Sequence, residues 1–150
     1  MPEQFNPTHE ERWIAALCHT SGLTIFFGLL VSLIVFLTQK SRSPFLKIQS
    51  LQALIYQGAA LVIYWVISIG LMLAYFGTFF PLVIFSSTGS MENPFFAGLF
   101  FLVFGLIMLF SLFFSLILAP AYGILALVAA WRSGKGDDFR YPVIGAFVER

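Results

Sequence analysis

No Asp, Glu, Lys or Arg occurs from Trp13 to Gln39, from Ile48 to Met91, or from Asn93 to Trp131. A helix that crosses a bilayer needs about 20 mainly apolar residues, so each stretch is long enough for at least one crossing. Only helices and closed barrels satisfy every backbone N–H and C=O in lipid. The apolar runs here are continuous rather than alternating, which selects helices. The remaining composition agrees: 59% of the 150 residues are hydrophobic and 10% are charged, against about a quarter charged in a soluble domain.

These observations exclude several classes. Eight Lys and Arg, with a net charge of +1, cannot build the basic surface that nucleic acid requires. The single cysteine, Cys18, forms no internal disulfide, and no Cys/His spacing has the form of a zinc site. The first apolar stretch lacks a basic leader and is too long for a signal peptide, so it is expected to stay as an anchor. The expected class is all-α: a polytopic membrane helical bundle with three to four transmembrane helices. It forms a single membrane domain, 1–150. An N-terminal tail and helix start (1–11) lead into membrane segments at 12–39, 49–77 and 94–131, and a cytoplasmic C-terminal tail (132–150) follows.

Helix ends can be read from local chemistry. Thr8 and Glu11 have the spacing of a capping box. Ser43-Pro44 and Asn93-Pro94 each pair an N-cap with a proline whose missing N–H is harmless in the first turn. Helices are therefore expected to start near His9, Pro44 and Pro94, and to stop near Gln39, Gly77 and Gly134. The segment from Gly77 to Asn93 reads as an apolar interfacial loop. From Pro94 to Trp131 one helix kinked at Pro120 is preferred over two short ones. Lys40, Arg42 and Lys47, with Arg132, Lys135, Arg140 and Arg150, place both basic segments in the cytoplasm by the positive-inside rule. A single crossing before Lys40 puts the N-terminus outside; a hairpin there returns it inside. Trp13 and Trp131 fit interfacial anchors.

Catalytic groups are scarce. Cys18 and His19 are about 100° apart on a helix and read as a small buried thiol beside an interfacial imidazole. His9 at a helix start and Asp137-Asp138 beside Lys135 and Arg140 read as solvated groups. No nucleophile elbow, phosphate loop or paired intramembrane carboxylates occur. Neither an enzyme nor a bound cofactor or metal is expected. Two patterns concern packing. Gln57, Tyr64, Ser68 and Tyr75 form one polar stripe, which can line a conduit or join helices; with no charge deep in the membrane, hydrogen bonding between helices is preferred. Ser111, Ser115, Ala119 and Gly123 repeat every four residues, a small-residue face for close helix approach.

Three blocks resemble a known family. They are Glu11-Arg12, Ala15, Leu17, His19 and Ser21-Gly22-Leu23; then Ser43-Pro44-Phe45, Gln49, Gln52-Ala53-Leu54 and Gln57; then Gly136 and Phe139-Arg140-Tyr141-Pro142. In order and spacing they resemble the bacterial domain-of-unknown-function family four-eight-seven-zero, grouped with the Tic-twenty chloroplast import component. Lys47, Ile48 and Ile55 depart from the common pattern. The resemblance implies four membrane helices and, by analogy with the plant proteins, a component of a protein- or solute-conducting channel. The residues alone point to a small integral protein of the plasma or inner membrane, a non-enzymatic subunit that packs with itself or another membrane protein in the lipid bilayer. Docking of the C-terminal block on the loop Ser43 to Lys47, with Phe45 against Tyr141, is a further expectation.

Overall fold

The computed structural model describes residues 6–87, 89, 94–141 and 144. Among these residues all regular structure is helical, in four helices: α1 (His9–Thr20), α2 (Ile25–Gln39), α3 (Pro44–Ser87) and α4 (Pro94–Lys135). The helices α3 and α4 are long and apolar enough to cross a membrane. Residues 1–62 and 121–150 make one compact unit and residues 63–120 a second.

The start of α1 is the expected capping box: Thr8 N–H donates to Glu11 Oε2 at 2.8 Å and Glu11 N–H to Thr8 Oγ1 at 3.3 Å. The helix then ends after 12 residues, where a 3-10 turn, Ser21–Leu23, reverses the chain into α2. The Ser21 carbonyl packs so closely on Gly28 that a Cβ there has no room. Glycine at this position therefore lets the two helices meet. At 12 and 15 residues, neither helix of the hairpin has the roughly 20 needed to cross alone. The hairpin closes at its base, where Ala15 of α1 packs on Phe45 and Leu46 at the start of α3. Of the two readings the sequence left open before Lys40, one crossing or a hairpin, the structure has the hairpin: two short helices joined by a turn.

The start of α3 follows its sequence signal, with Leu46 N–H donating to the Ser43 hydroxyl at 3.2 Å. Its expected stop at Gly77 does not occur. The helix continues through Pro81 to Ser87, 44 residues in all, so the interfacial loop expected after Gly77 is helical as far as Ser87. A mid-helix glycine costs about 1 kcal/mol, less than stranding backbone groups where no water replaces them. Asn93, the expected cap of α4, lies outside the described residues. Near Pro120, α4 widens into a π turn over Phe114–Leu118, in which Ala119 N–H bonds the Phe114 carbonyl. The bend residue shapes the preceding turn because proline supplies no N–H to the carbonyl four residues back. The helix stops at Lys135, where Gly136 takes φ +90°, the left-handed C-terminal conformation.

Within the second unit the α3 and α4 segments meet through Tyr75, whose hydroxyl lies 2.8 Å from that of Ser111 and whose ring meets Phe104 edge-on. No residue of Pro94–Phe113 is buried. Apolar grooves of about 530 and 390 Å³ run along this pair.

The hairpin geometry makes a topological prediction. In a Cys18→Ala background, single cysteines at Asn6, Ser41 and Gly134 should all react with an impermeant maleimide from the same side of sealed vesicles. Reaction of Asn6→Cys from the side opposite Ser41→Cys would restore the single crossing.

Candidate functional site

The polar residues of the first unit gather rather than scatter. Along α3, Gln49, Gln52, Tyr56 and Gln57 fall at spacings of three, four and one, so they share a face over two turns. The three glutamines are buried. Against this face stand His19 of α1, Ser32 of α2, Ser133 of α4 and the chain after Gly136.

Gln49 is the central group. Its Nε2 donates to the Phe139 carbonyl at 3.2 Å and to Asp138 Oδ1 at 3.3 Å. Its Oε1 accepts from the Ser133 hydroxyl at 3.0 Å and lies 3.1 Å from His19 Nε2. Two acceptors on one end and a hydroxyl donor on the other fix the amide's orientation. His19 Nε2 must then carry the proton that it donates to Gln49. The other ring nitrogen, Nδ1, accepts from the Tyr141 hydroxyl at 3.1 Å. This neutral tautomer uses both imidazole nitrogens.

The C-terminal block closes the cluster. Tyr141 N–H donates to Gln52 Oε1 at 3.3 Å, and Phe139 and Tyr141 pack on Ala129. The Tyr141 ring stacks on Tyr56 at 4.1 Å, and Tyr56 stacks on Tyr122 at 4.9 Å. The Tyr122 hydroxyl donates to the Gly22 carbonyl at 3.1 Å. Two turns further along α3, Gln57 Nε2 donates to the Cys18 carbonyl at 2.8 Å, while its Oε1 accepts from Ser32 at 3.2 Å. Among the described residues, no buried side-chain nitrogen or oxygen lacks a partner.

His19, Gly22, Ser43, Phe45, Gln52, Ala53, Gln57, Phe139 and Tyr141 are all buried, although they come from distant parts of the sequence. Glu11, Arg12, Leu54 and Arg140 are half-buried and Pro44 is exposed. Pro142 lies outside the described residues. The expected pairing of Phe45 with Tyr141 is corrected: Phe45 packs with Ala15 and Leu46, whereas Tyr141 packs with Phe139 and Tyr56. The C-terminal block seats one to three turns beyond the loop because Gln49 and Gln52, not Phe45, offer partners for its backbone.

Gln57 is buried, Tyr64 exposed, and Ser68 and Tyr75 half-buried. Ser111 meets Tyr75, and a Cβ on Gly123 would touch Leu23, but Ser115 and Ala119 are exposed. A four-residue repeat cannot hold one face through a π turn, which adds a residue at Phe114–Leu118. The small residues of α4 that are buried are Ala126, Ala129, Ala130 and Ser133. The same small-residue rule, carried one stripe further, finds them.

Charge follows burial. His19 lies on α1, outside both helices of spanning length, and burial pushes its pKa down from 6.5 to about 4 against a smaller opposing effect of Gln49. Burial also pushes the Cys18 thiol up to about 12 and raises the Tyr141 phenol. The Cys18 sulfur is therefore a neutral packing group. Glu11 is held below the usual carboxylate range by its bonds to Ser43 and Thr8. Asp138 pairs with Arg140 at 2.7 Å, partly exposed.

Two predictions follow from the cluster. Gln49→Leu strands the Phe139 carbonyl, the Ser133 hydroxyl and the His19 Nε2–H, each costing about 1–3 kcal/mol if unrelieved, so the unfolding midpoint in detergent should fall by several degrees. An unchanged midpoint would remove Gln49 from its central place. The pH dependence has a definite sign. Because the folded pKa of His19 is about 4 and the ordinary value 6.5, the unfolded chain takes up a proton that the folded chain refuses. Stability should be lost as pH falls through that window, with a weaker dependence in His19→Asn. Equal slopes in the two proteins would contradict it.

Comparison with known proteins corrects the sequence resemblance. The family model that the chain matches, over residues 10–148, is that of the magnetosome magnetite crystal formation protein family (MamF/MmsF), not the Tic-twenty-like group. The channel role implied by the plant import proteins loses its basis with that correction. No curated protein and no solved structure matches the chain. The shared blocks misled because buried glutamines, a Ser-Pro helix start and an aromatic C-terminal motif report packing needs, which they meet in this fold whatever the process served. The match extends from the first turn of α1 past the Tyr141 block, and this chain belongs to the magnetosome magnetite crystal formation protein family.

Proposed function

We propose that this chain serves the process its family is named for, magnetite crystal formation, as a non-enzymatic, multi-pass membrane subunit. It acts by assembling with itself or with another membrane protein. The observation that carries the reading is the family match over residues 10–148. Two further features support it. The polar atoms of the buried cluster are committed to one another, which suits a role in holding the first unit's shape rather than in turning over a substrate. In the second unit, a Cβ placed on Gly70, Gly77, Gly98 or Gly105 meets nothing within 4 Å. Such notches on apolar helices admit the close approach of another helix. The basic residues of the α2–α3 loop and of the α4 end favour a cytoplasmic location for both, and the hairpin supports the same side for the N-terminus.

The test has two parts. Expressed in a magnetite-forming bacterium that lacks its own member of the family, the chain should enter the crystal-bearing membrane fraction and restore crystal formation. Extracted in mild detergent, it should run as a complex heavier than one chain, and Gly70→Leu with Gly105→Leu should reduce that mass without loss of helicity. Unrestored crystals would overturn the process; a bare monomer in the native extract would overturn the assembly.

A further inference from the structure

Seven of the chain's eight Lys and Arg stand at one end of the first unit. Lys40, Arg42 and Lys47 flank the start of α3, where Phe45 and Leu46 pack on Ala15 of α1. Arg132, Lys135 and Arg140 close α4 and the segment after it, which Gln49 ties to α3 through Ser133 and Phe139. Arg12 lies over Gly136, its Nε 2.8 Å from the position a Cβ would take. Of the carboxylates at this end, Glu11 accepts from the Thr8 N–H, Asp138 pairs with Arg140 and accepts from Gln49, and Glu10 and Asp137 are exposed. Among the described residues, Lys40, Arg42, Lys47, Arg132 and Lys135 are exposed and form no ion pair.

We propose that this end is a docking surface for anionic phospholipid headgroups. Charge complementarity alone would admit any polyanion; the tryptophans select lipid. Trp13 on α1 and Trp131 on α4 are 66% and 68% exposed and sit within the same band as the cations. Exposed tryptophan beside apolar helix faces marks the headgroup level of a bilayer. The Lys135 ammonium rests 4.7 Å above the Trp131 ring and that of Lys40 5.6 Å from Phe36, so both stems lie along apolar surface while the charge reaches outward. Phosphate at that level meets several cations at once. A soluble acidic partner would have to displace lipid from the tryptophans to reach them. The inference goes beyond the proposed function and does not depend on it.

The experiment reconstitutes the full chain in bilayer discs of phosphatidylcholine mixed equally with phosphatidylglycerol, then identifies the lipid retained after mild delipidation by native mass spectrometry. Phosphatidylglycerol should be enriched several-fold over its share of the bilayer, at roughly five-fold preference per engaged cation as an upper bound. High salt should weaken the enrichment. The variant K40Q/R42Q/K47Q/R132Q/K135Q should retain both lipids equally, with circular dichroism to confirm that it is helical; if it does not fold, the salt titration of the unaltered chain decides. Retention of the two lipids in equal amounts by the unaltered chain would overturn the proposal. So would salt-insensitive enrichment, or an acidic protein from the native membrane that competes the lipid away.

Discussion

The carboxamide of Gln49 joins three parts of the chain that have no sequence proximity. Its oxygen takes the His19 and Ser133 donors, and its nitrogen holds the Phe139 carbonyl and Asp138. That single group sets the imidazole tautomer, which in turn leaves Nδ1 free to accept from Tyr141. A neutral amide suits the position because it offers two donors and an acceptor without the desolvation cost of a charge. Gln57 repeats the device further along α3, joining Cys18 and Ser32. The first unit is thus ordered from a polar interior outward, with apolar side chains such as Phe26, Phe27 and Ile124 turned away from it.

The backbone obeys the same requirement by different means. Where water is absent, a helix does not stop at a glycine, and α3 passes both Gly77 and Pro81. Thr78 contributes by donating its hydroxyl to the Ala74 and Tyr75 carbonyls. Near Pro120 the chain answers with wider hydrogen bonding instead of a break. At Ser21–Thr24 it does break, and there the Ser21 and Thr24 hydroxyls bond the Cys18 and Ser21 carbonyls. Continuity or reversal is decided by whether nearby hydroxyls and a close-packed glycine can take up the carbonyls that a turn releases.

This explains what could be read from the sequence. The starts of α1 and α3 were legible because Thr8, Glu11, Ser43 and Pro44 act within a few residues of themselves. The end of α2 at Gln39 was legible because charge begins at Lys40. The reversal at Ser21 was not, since it depends on Gly28 meeting a carbonyl seven residues back. The helix beyond Gly77 was not, since glycine and proline signals are calibrated by competition with water. Gln57 drew notice in the polar stripe and Gln49 and Gln52 in the family blocks, but their partners lie 25 to 90 residues away, where no local spacing rule reaches. The exposed halves of the small-residue stripe, Ser115 and Ala119, show how one added residue in a π turn rotates a face that periodicity assumes is continuous. Family membership was the least legible, because many of the residues that carried the resemblance, such as Gln52, Gln57 and Tyr141, are buried packing residues.

The two units differ in what they offer to a partner. In the first, the α3 glutamines, His19, Ser32 and Ser133 are buried and bonded within the unit, and Lys40, Arg42, Lys47, Arg132 and Lys135 are exposed at its end. In the second, Tyr75 and Ser111 make a side-chain hydrogen bond within a pair of helices whose exposed surfaces are mainly apolar and aromatic. Selectivity toward another protein therefore falls to shape: the open positions at Gly70, Gly77, Gly98 and Gly105 against the bulk of the phenylalanines around them. In lipid an apolar contact gains nothing from water release, so only closely fitted surfaces hold together. In the proposed assembly the chain would keep its fold by hydrogen bonds and choose its neighbours by van der Waals fit. Substitutions that fill a notch and substitutions that strand a glutamine should accordingly separate assembly from stability.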